Sequence, residues 1–313
     1  MSEKKPNKRR SKRRKQSIIR WVLLAVIIIA AVLAVLIRLG VIEPKIGPFS
    51  LIKQPAAKDA STSVRFIDVG QGDCTLIISD GQAMLIDSGE SDPRNSVISY
   101  IESLDIHRLE YIIVTHPHSD HMGEMADIIN SFEVGRVIMP RLPDELTPST
   151  YAYERLLGAI DQRGVPLSAA ANESFSLGEI TVDTYIPSVY GEDLNNCSVV
   201  TRLTHGGNSF LVTGDCSADE ERDLILHGAD LKADVLRVGH HGSSSATSEE
   251  FLLAVRPAYA VISCGKDNDY GHPSEKTLMK LSATVGKTYI TKDSGTVTFV
   301  SDGKGLTVYT ERE

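Results

Sequence analysis

The stretch Tyr111-Ile112-Ile113-Val114-Thr115-His116-Pro117-His118-Ser119-Asp120-His121 decides how this chain is read. Its first five residues form a short apolar run closed by a proline-containing turn, the pattern of a buried strand. The residues that follow, 122–129, read as a helix. Three histidines and an aspartate therefore crowd one strand-to-helix turn. Imidazole and carboxylate donors at that density are what zinc, iron or manganese sites use, and a merely polar surface turn has no need of them.

Short strand-like runs and helical stretches alternate on both sides of this turn. Upstream, residues 64–69, 74–78 and 83–86 read as strands, the last two joined through Asp80-Gly81, a hairpin signal. Asp87-Ser88-Gly89 ends the third, and residues 95–104 read as a helix. Downstream, 136–140 and 180–186 read as strands, 151–161 as a helix, and 198–203 with 209–213 as a hairpin that puts His205 in an exposed turn. Residues 233–238 and 258–263 read as further strands, 275–281 as a helix, and the runs from Lys287, Thr296 and Leu306 as closing strands. This alternation argues for an α/β layered domain.

Two later segments carry chemistry. Thr213-Gly214-Asp215 places a carboxylate at a strand end, where its two oxygens can bridge two cations; alternatively Asp215 caps the helix expected over 218–227. Gly239-His240-His241-Gly242 follows a strand, and its glycines leave the backbone free to bring an imidazole close to a metal. Neighbours on an extended chain point opposite ways, so the two rings are not expected on one ion. We assign His241 to the metal and His240 either to a supporting place behind the ligands or to the substrate side. His272, in the loop 265–274, either donates a proton or hydrogen bond to substrate or anchors its loop.

The 313 residues allow one large or two small domains. A hydrophobic share of 42% and a charged share of 24% are those of a globular protein with a sizeable core. The net charge of −8 hides an asymmetry: residues 1–40 hold eleven Lys or Arg against Glu3, and the remainder holds 22 basic against 40 acidic residues. So acidic a domain argues against a broad phosphate-binding surface, although bound divalent cations would make the site locally positive. Cys74, Cys197, Cys216 and Cys264 are far apart and form no CxxC pair, so they suggest no disulfide scaffold.

The basic run over 4–15 leads into an apolar stretch over 18–37, broken only by Arg20 near its edge. About twenty such residues suffice to cross a bilayer. We expect a basic cytoplasmic tail (1–17), a transmembrane anchor (18–39), a linker rich in proline and polar residues (40–63) and one domain over 64–313 on the far side of the membrane. A cleaved signal peptide is the competing view.

The H-x-H-x-D-H pattern at 116–121 resembles the signature of the metallo-β-lactamase fold superfamily. The ordered set F-I-D-V-G-Q-G-D (66–73), N-N-C-S (195–198), T-G-D (213–215), V-G-H-H-G-S (238–243) and Y-G-H-P (270–273) is similar to the hydrolase domain of the ComEC family, bacterial competence proteins that import DNA. The resemblance implies an αββα sandwich, here behind one N-terminal transmembrane helix, and two divalent ions, zinc or manganese. Their ligands would be His116, His118, Asp120, His121, Asp215 and His241, with Asp120, His240 and His272 acting on the substrate. Many superfamily members supply a further histidine just before the T-G-D aspartate, where this chain has Asn195, Asn196, Cys197 and Ser198. Cys197 is either a thiolate ligand or an inert buried thiol.

The resulting expectation is a membrane-anchored, extracytoplasmic phosphodiesterase or nuclease related to DNA uptake. Only one spanning segment is expected, which points to a separate channel protein as partner. The rivals are a hydrolase of a cell-envelope phosphodiester, similar to a phosphorylcholine esterase, and a surface module that keeps the fold without catalysis. The complete donor set at 116–121 and 215 weighs against the last.

Overall fold

The computed structural model describes residues 62–92, 96–188 and 193–312. The expected tail, transmembrane anchor and most of the linker lie outside the described residues, among whose helices none is long and apolar enough to cross a membrane. The described strands are β1 (Thr62–Phe66), β2 (Thr75–Ser79), β3 (Gln82–Ile86), β4 (Arg108–Ile113), β5 (Glu133–Met139), β6 (Leu167–Ala169), β7 (Glu173–Leu177), β8 (Ile180–Tyr185), β9 (Val200–His205), β10 (Asn208–Val212), β11 (Val235–Arg237), β12 (Tyr259–Ile262), β13 (Lys287–Ile290), β14 (Val297–Ser301) and β15 (Leu306–Thr310). They form two sheets, ordered β15-β14-β1-β2-β3-β4-β5-β6 and β13-β12-β11-β10-β9-β8-β7.

The alternation of side chains along each strand explains why two sheets stack. Phe66, Ile77, Met84, Ile86, Ile113 and Ile138 of the first sheet meet Val182, Leu203, Phe210, Val212, Val235 and Val261 of the second in one buried layer, joined by Phe299. Each such side chain contributes about 1.5–3 kcal/mol on full burial. The other face of the second sheet carries Leu211, Leu236, Ala260 and Ile262, which pack with Leu224, Phe251 and Leu281 from the helices Ala218–Leu226, Glu249–Val255 and Glu275–Thr284. Beside the first sheet, helix Met125–Ser131 packs on β5 and against Val97–Ser103 and Tyr151–Arg163. The layering is α/β with two sheets, as the motifs implied.

Four local differences from the sequence reading have clear causes. The first described strand begins at Thr62, two residues before the run read from Val64; Thr62 and Ser63 look like linker because they are polar, yet the Thr62 hydroxyl hydrogen-bonds that of Ser79 at 3.1 Å inside the β1–β2 pair. The helix expected over 122–129 is two helices, Ser119–Met122 and Met125–Ser131. Between them the Gly123 N–H donates to Gly89 O at 2.9 Å, and a Cβ on Gly123 would lie 2.8 Å from Ser91 N, so the chain turns to meet the Asp87-Ser88-Gly89 loop. His205 is not in an exposed turn: it ends β9, buried, with Nδ1 at 2.8 Å from the Ser301 hydroxyl, and Gly206-Gly207 alone make the turn. Asp215 does not cap the helix that follows it, because Ser217 does so with Glu220.

Pairing is parallel through β3-β4-β5-β6 and through β10-β11-β12-β13. In such sheets ligands bind beyond the carboxyl ends of the strands. That edge collects Asp87 after β3, the histidine cluster after β4, Asp215 after β10 and the histidine pair after β11.

Candidate metal centre

The turn after β4 is held from behind before any of its ligands is aimed. The Thr115 N–H and hydroxyl donate to the two oxygens of Asp87 at 2.8 and 2.7 Å, and Asp87 Oδ2 lies 2.9 Å from His121 Nδ1. His241 Nδ1 donates to Ser263 O at 3.0 Å. With both Nδ1 atoms engaged, each ring turns its Nε2 inward, the way histidine ligands are oriented for a metal.

One carboxylate oxygen is the hub. Asp215 Oδ2 lies 3.4 Å from His121 Nε2, 3.5 Å from His241 Nε2, 3.8 Å from His240 Nε2 and 4.0 Å from His116 Nε2. Asp120 Oδ2 sits 3.2 Å from His241 Nε2, and His118 Nδ1 is 3.0 Å from His116 Nε2. All six expected ligands therefore belong to one constellation. The Ser198 hydroxyl takes the Asp215 N–H at 3.0 Å, fixing the hub's backbone.

The donor set fits a divalent cation. His121 Nε2, His241 Nε2 and Asp215 Oδ1 are buried without a hydrogen-bond partner. Each such orphan costs about 1–3 kcal/mol, and a cation among them satisfies several at once. Burial alone would raise the Asp215 carboxyl, but facing His241 and His121 it is held well below its ordinary range. Burial drives His116 far below, whereas Asp215 and Asp87 lift His121 well above against the same burial. The centre thus has a fixed negative charge and imidazoles competing for the protons around it.

The histidine pair departs from the extended geometry expected of it. His240 and His241 both have left-handed backbones, at φ 49° and 53°. That conformation costs roughly 1–2 kcal/mol per non-glycine residue. The His240 N–H bond to Gly214 O and the Ser243 N–H bond to His240 O hold the turn in place. Its result is that both rings face Asp215. His241 is buried, and His240 is partly exposed in the cleft wall.

Two residues of the centre were not singled out from the sequence. Asp73 joins His121, Asp215 and His241 in a buried group whose donor atoms all lie within 4.8 Å. Its carboxylate already faces Arg237, a fully buried guanidinium that also donates to Gly214 O at 2.6 Å and stands 3.7 Å from Asp215 Oδ1. The signal was present: Arg237 interrupts an otherwise apolar strand run, and a charge there needs a buried partner. Gly72 lets Asp73 approach, since a Cβ there would collide with the Asp120 carbonyl oxygen. Cys197 is fully buried, which pushes its thiol up to about 11, and it does not line the cleft.

Above the centre opens a cleft of about 290 Å³, lined by Gln71, His118, Ser119, Asp120, Asn195, Asp215, His240, His241, Tyr270 and His272. The loop that carries His272 is anchored by Asn268, whose side chain bonds Gly265 O and both backbone groups of His272 at 2.8 Å. The His272 ring is thus free of the anchoring role and faces the cleft, stacked on Tyr270 at 5.6 Å. Tyr270 is 70% exposed. Burial lowers both His240 and His272, so each faces the cleft as a neutral imidazole at neutral pH.

Residues 67–266 match the metallo-beta-lactamase superfamily. The chain is 30% identical over 256 residues to ComE operon protein 3 of Bacillus subtilis (strain 168), covering 75% of this chain and 32% of that protein. It is 28% identical over 254 residues to competence protein ComA of Neisseria gonorrhoeae, covering 80% and 34%. The chain thus spans about a third of the length of these relatives. The crystal structure of the metallo-beta-lactamase fold protein YhfI from Bacillus subtilis matches with a TM-score of 0.50 at 14% identity, over 80% of this chain and 99% of that one, a likeness of fold.

Proposed function

The chain belongs to the metallo-beta-lactamase superfamily and is related to competence proteins, and from that footing we propose that it is a two-metal phosphodiesterase whose substrate is DNA. The observation that carries the reading is Asp215 Oδ2, faced by the Nε2 atoms of His116, His121, His240 and His241. In this reading His116 and His118 would hold one divalent cation, zinc or manganese, Asp120, His121 and His241 would hold the other, and Asp215 would serve both. Such a pair supplies Lewis-acid polarisation of a phosphoryl oxygen and a water acidic enough to attack at neutral pH.

The chain's own groups bind and orient the diester. His240 and His272, neutral in the cleft wall, donate hydrogen bonds to the phosphoryl group or the departing oxygen. Tyr270 at the exposed rim offers a flat face on which a nucleobase can stack. Asp87, Ser263 and Arg237 keep the imidazoles and carboxylates aimed while substrate enters.

The membrane placement belongs to the same proposal: residues 18–39 anchor the chain, the catalytic domain lies outside, and a separate channel protein carries DNA inward. A tag on the domain should be cut by protease added to intact spheroplasts; protection would remove this part. The activity test is hydrolysis of single-stranded DNA and of bis(p-nitrophenyl) phosphate by the chain loaded with manganese or zinc. Cleavage of both, lost in Asp215→Asn, is expected. The acidic domain favours one alternative, a cell-envelope phosphodiester, which predicts cleavage of the small diester with DNA untouched. No cleavage of any diester by the loaded chain would overturn the phosphodiesterase reading.

A further inference from the structure

The weak point of the ligand set is the side of Asp215 that holds His116 and His118. Those two rings and one shared carboxylate leave a divalent cation short of the four donors zinc usually takes and further short of the six a harder ion prefers. The short helical turn Leu194–Cys197 runs beside this side of the centre, and its side chains can be checked one by one.

Three neighbouring side chains are already committed or withdrawn. Asn196 Oδ1 accepts the Asp193 N–H at 3.2 Å in a reciprocal cap of the turn. Cys197 is fully buried and does not line the cleft. The Ser198 hydroxyl lies between the Asp215 N–H at 3.0 Å and His116 Nδ1 at 3.3 Å. Asn195 differs from all of these. It lines the cleft together with His118 and Asp215, and its side-chain oxygen Oδ1 is buried with no hydrogen-bond partner. Its backbone is fixed on both sides, the N–H to Asp193 Oδ1 at 3.1 Å and the carbonyl to the Ser198 N–H at 3.1 Å, so the amide is presented by a rigid turn.

A buried amide oxygen without a donor costs about 1–3 kcal/mol unless something satisfies it. We propose that Asn195 Oδ1 is a ligand of the cation that His116, His118 and Asp215 would hold, the neutral fourth donor of that site. The inference rests on the two-metal reading above. Each side has two imidazoles and a share of Asp215, and they differ in the last donor: a neutral amide oxygen here, the Asp120 carboxylate beside His121 and His241. The two sites are therefore unequal: the one with Asn195 binds its divalent ion more weakly and exchanges it.

The test is manganese and zinc binding by the full-length chain, followed by calorimetry and by metal analysis after dialysis, with no activity assay needed. Wild type should take up two ions, and Asn195→Ala should lose at least tenfold in affinity for the weaker manganese site while keeping the tighter one. Asn195→Asp should retain manganese at that site, and Asn195→His should shift it toward zinc, which also shows that the turn still folds. Two ions bound with unchanged affinities in Asn195→Ala would overturn the assignment and make the amide a contact for substrate. A wild type that binds a single ion, retained in Asn195→Ala, would overturn it as well. A wild type that binds none would instead overturn the two-metal reading itself.

Discussion

On one side of Asp215, His121 and His241 are clamped from behind by the Asp87 carboxylate at 2.9 Å and the Ser263 carbonyl at 3.0 Å. On the other, His116 has only the hydroxyls of Thr115 and Ser198 behind it, at 3.2 and 3.3 Å, and His118 stands in the cleft wall. A charged or carbonyl acceptor strengthens a ring's other nitrogen as a ligand, while a hydroxyl such as that of Thr115, whose proton goes to Asp87, is a weaker acceptor for His116 Nδ1. The centre is therefore held more strongly around His121 and His241 than around His116 and His118, of which His118 meets the cleft. A hydrolase with a binding cleft gains from that division, because the geometry that must not change is kept apart from the contacts that must.

The largest effect is expected where the rigid side meets the core. Arg237→Ala leaves Asp73 buried without its cation, and such a loss destabilises by about 3–5 kcal/mol. Urea unfolding should show it, and adding Asp73→Asn should cost less than the two separate changes together. If the double variant is as unstable as the sum, the pair is not the buttress described here.

Next comes the segment behind the histidine pair. Glu221 accepts the Thr247 and Ser248 N–H groups at 2.5 and 2.8 Å, and burial pushes its carboxyl up to about 7 from the ordinary 4.5. The folded chain thus holds this proton more tightly than the unfolded chain does. Stability from this group is full below pH 4.5 and declines as pH rises to about 7, by at most about 3 kcal/mol. Thermal melts should show Glu221→Gln with a flatter dependence on pH over that window than wild type. Parallel curves would mean that Glu221 is ionised throughout.

Those two groups mark what the sequence could and could not tell. The donors at 116–121, Asp215 and the histidine pair were legible because ligand-rich residues sat at strand ends within short motifs. Arg237 and Asp73 were not, because an ion pair across 164 positions leaves no local pattern. The left-handed turn at His240-His241 was read as extended because its cause is remote, a bond to Gly214 O and packing around the preceding strand. The break at Gly123 was hidden for the same reason: the segment has helical composition, and only the Gly89 loop pressing on it ends the first turn. The sheets were easier, since Asp80-Gly81, with φ of 48° and 74°, carries its own turn geometry.

Smaller effects sharpen the contrast between the two sides. Asp87→Asn should weaken the tighter metal site by about 10–100-fold, as loss of a group orienting a histidine ligand does. Ser198→Ala should weaken the other site by less, and equal losses would erase the distinction. Last, Tyr270→Ala should raise KM for single-stranded DNA about fivefold, for roughly 1 kcal/mol of stacking on one base, and leave bis(p-nitrophenyl) phosphate unaffected. A parallel change on both substrates would assign Tyr270 to the cleft's shape instead.

The central claim is that the Asp215 carboxylate lies between two cations, and electron paramagnetic resonance of the manganese-loaded full-length chain tests it most directly. The expected result is the spectrum of a coupled manganese pair in wild type, replaced by that of isolated ions in Asp215→Asn. An isolated-ion spectrum in wild type at saturating manganese would contradict the account.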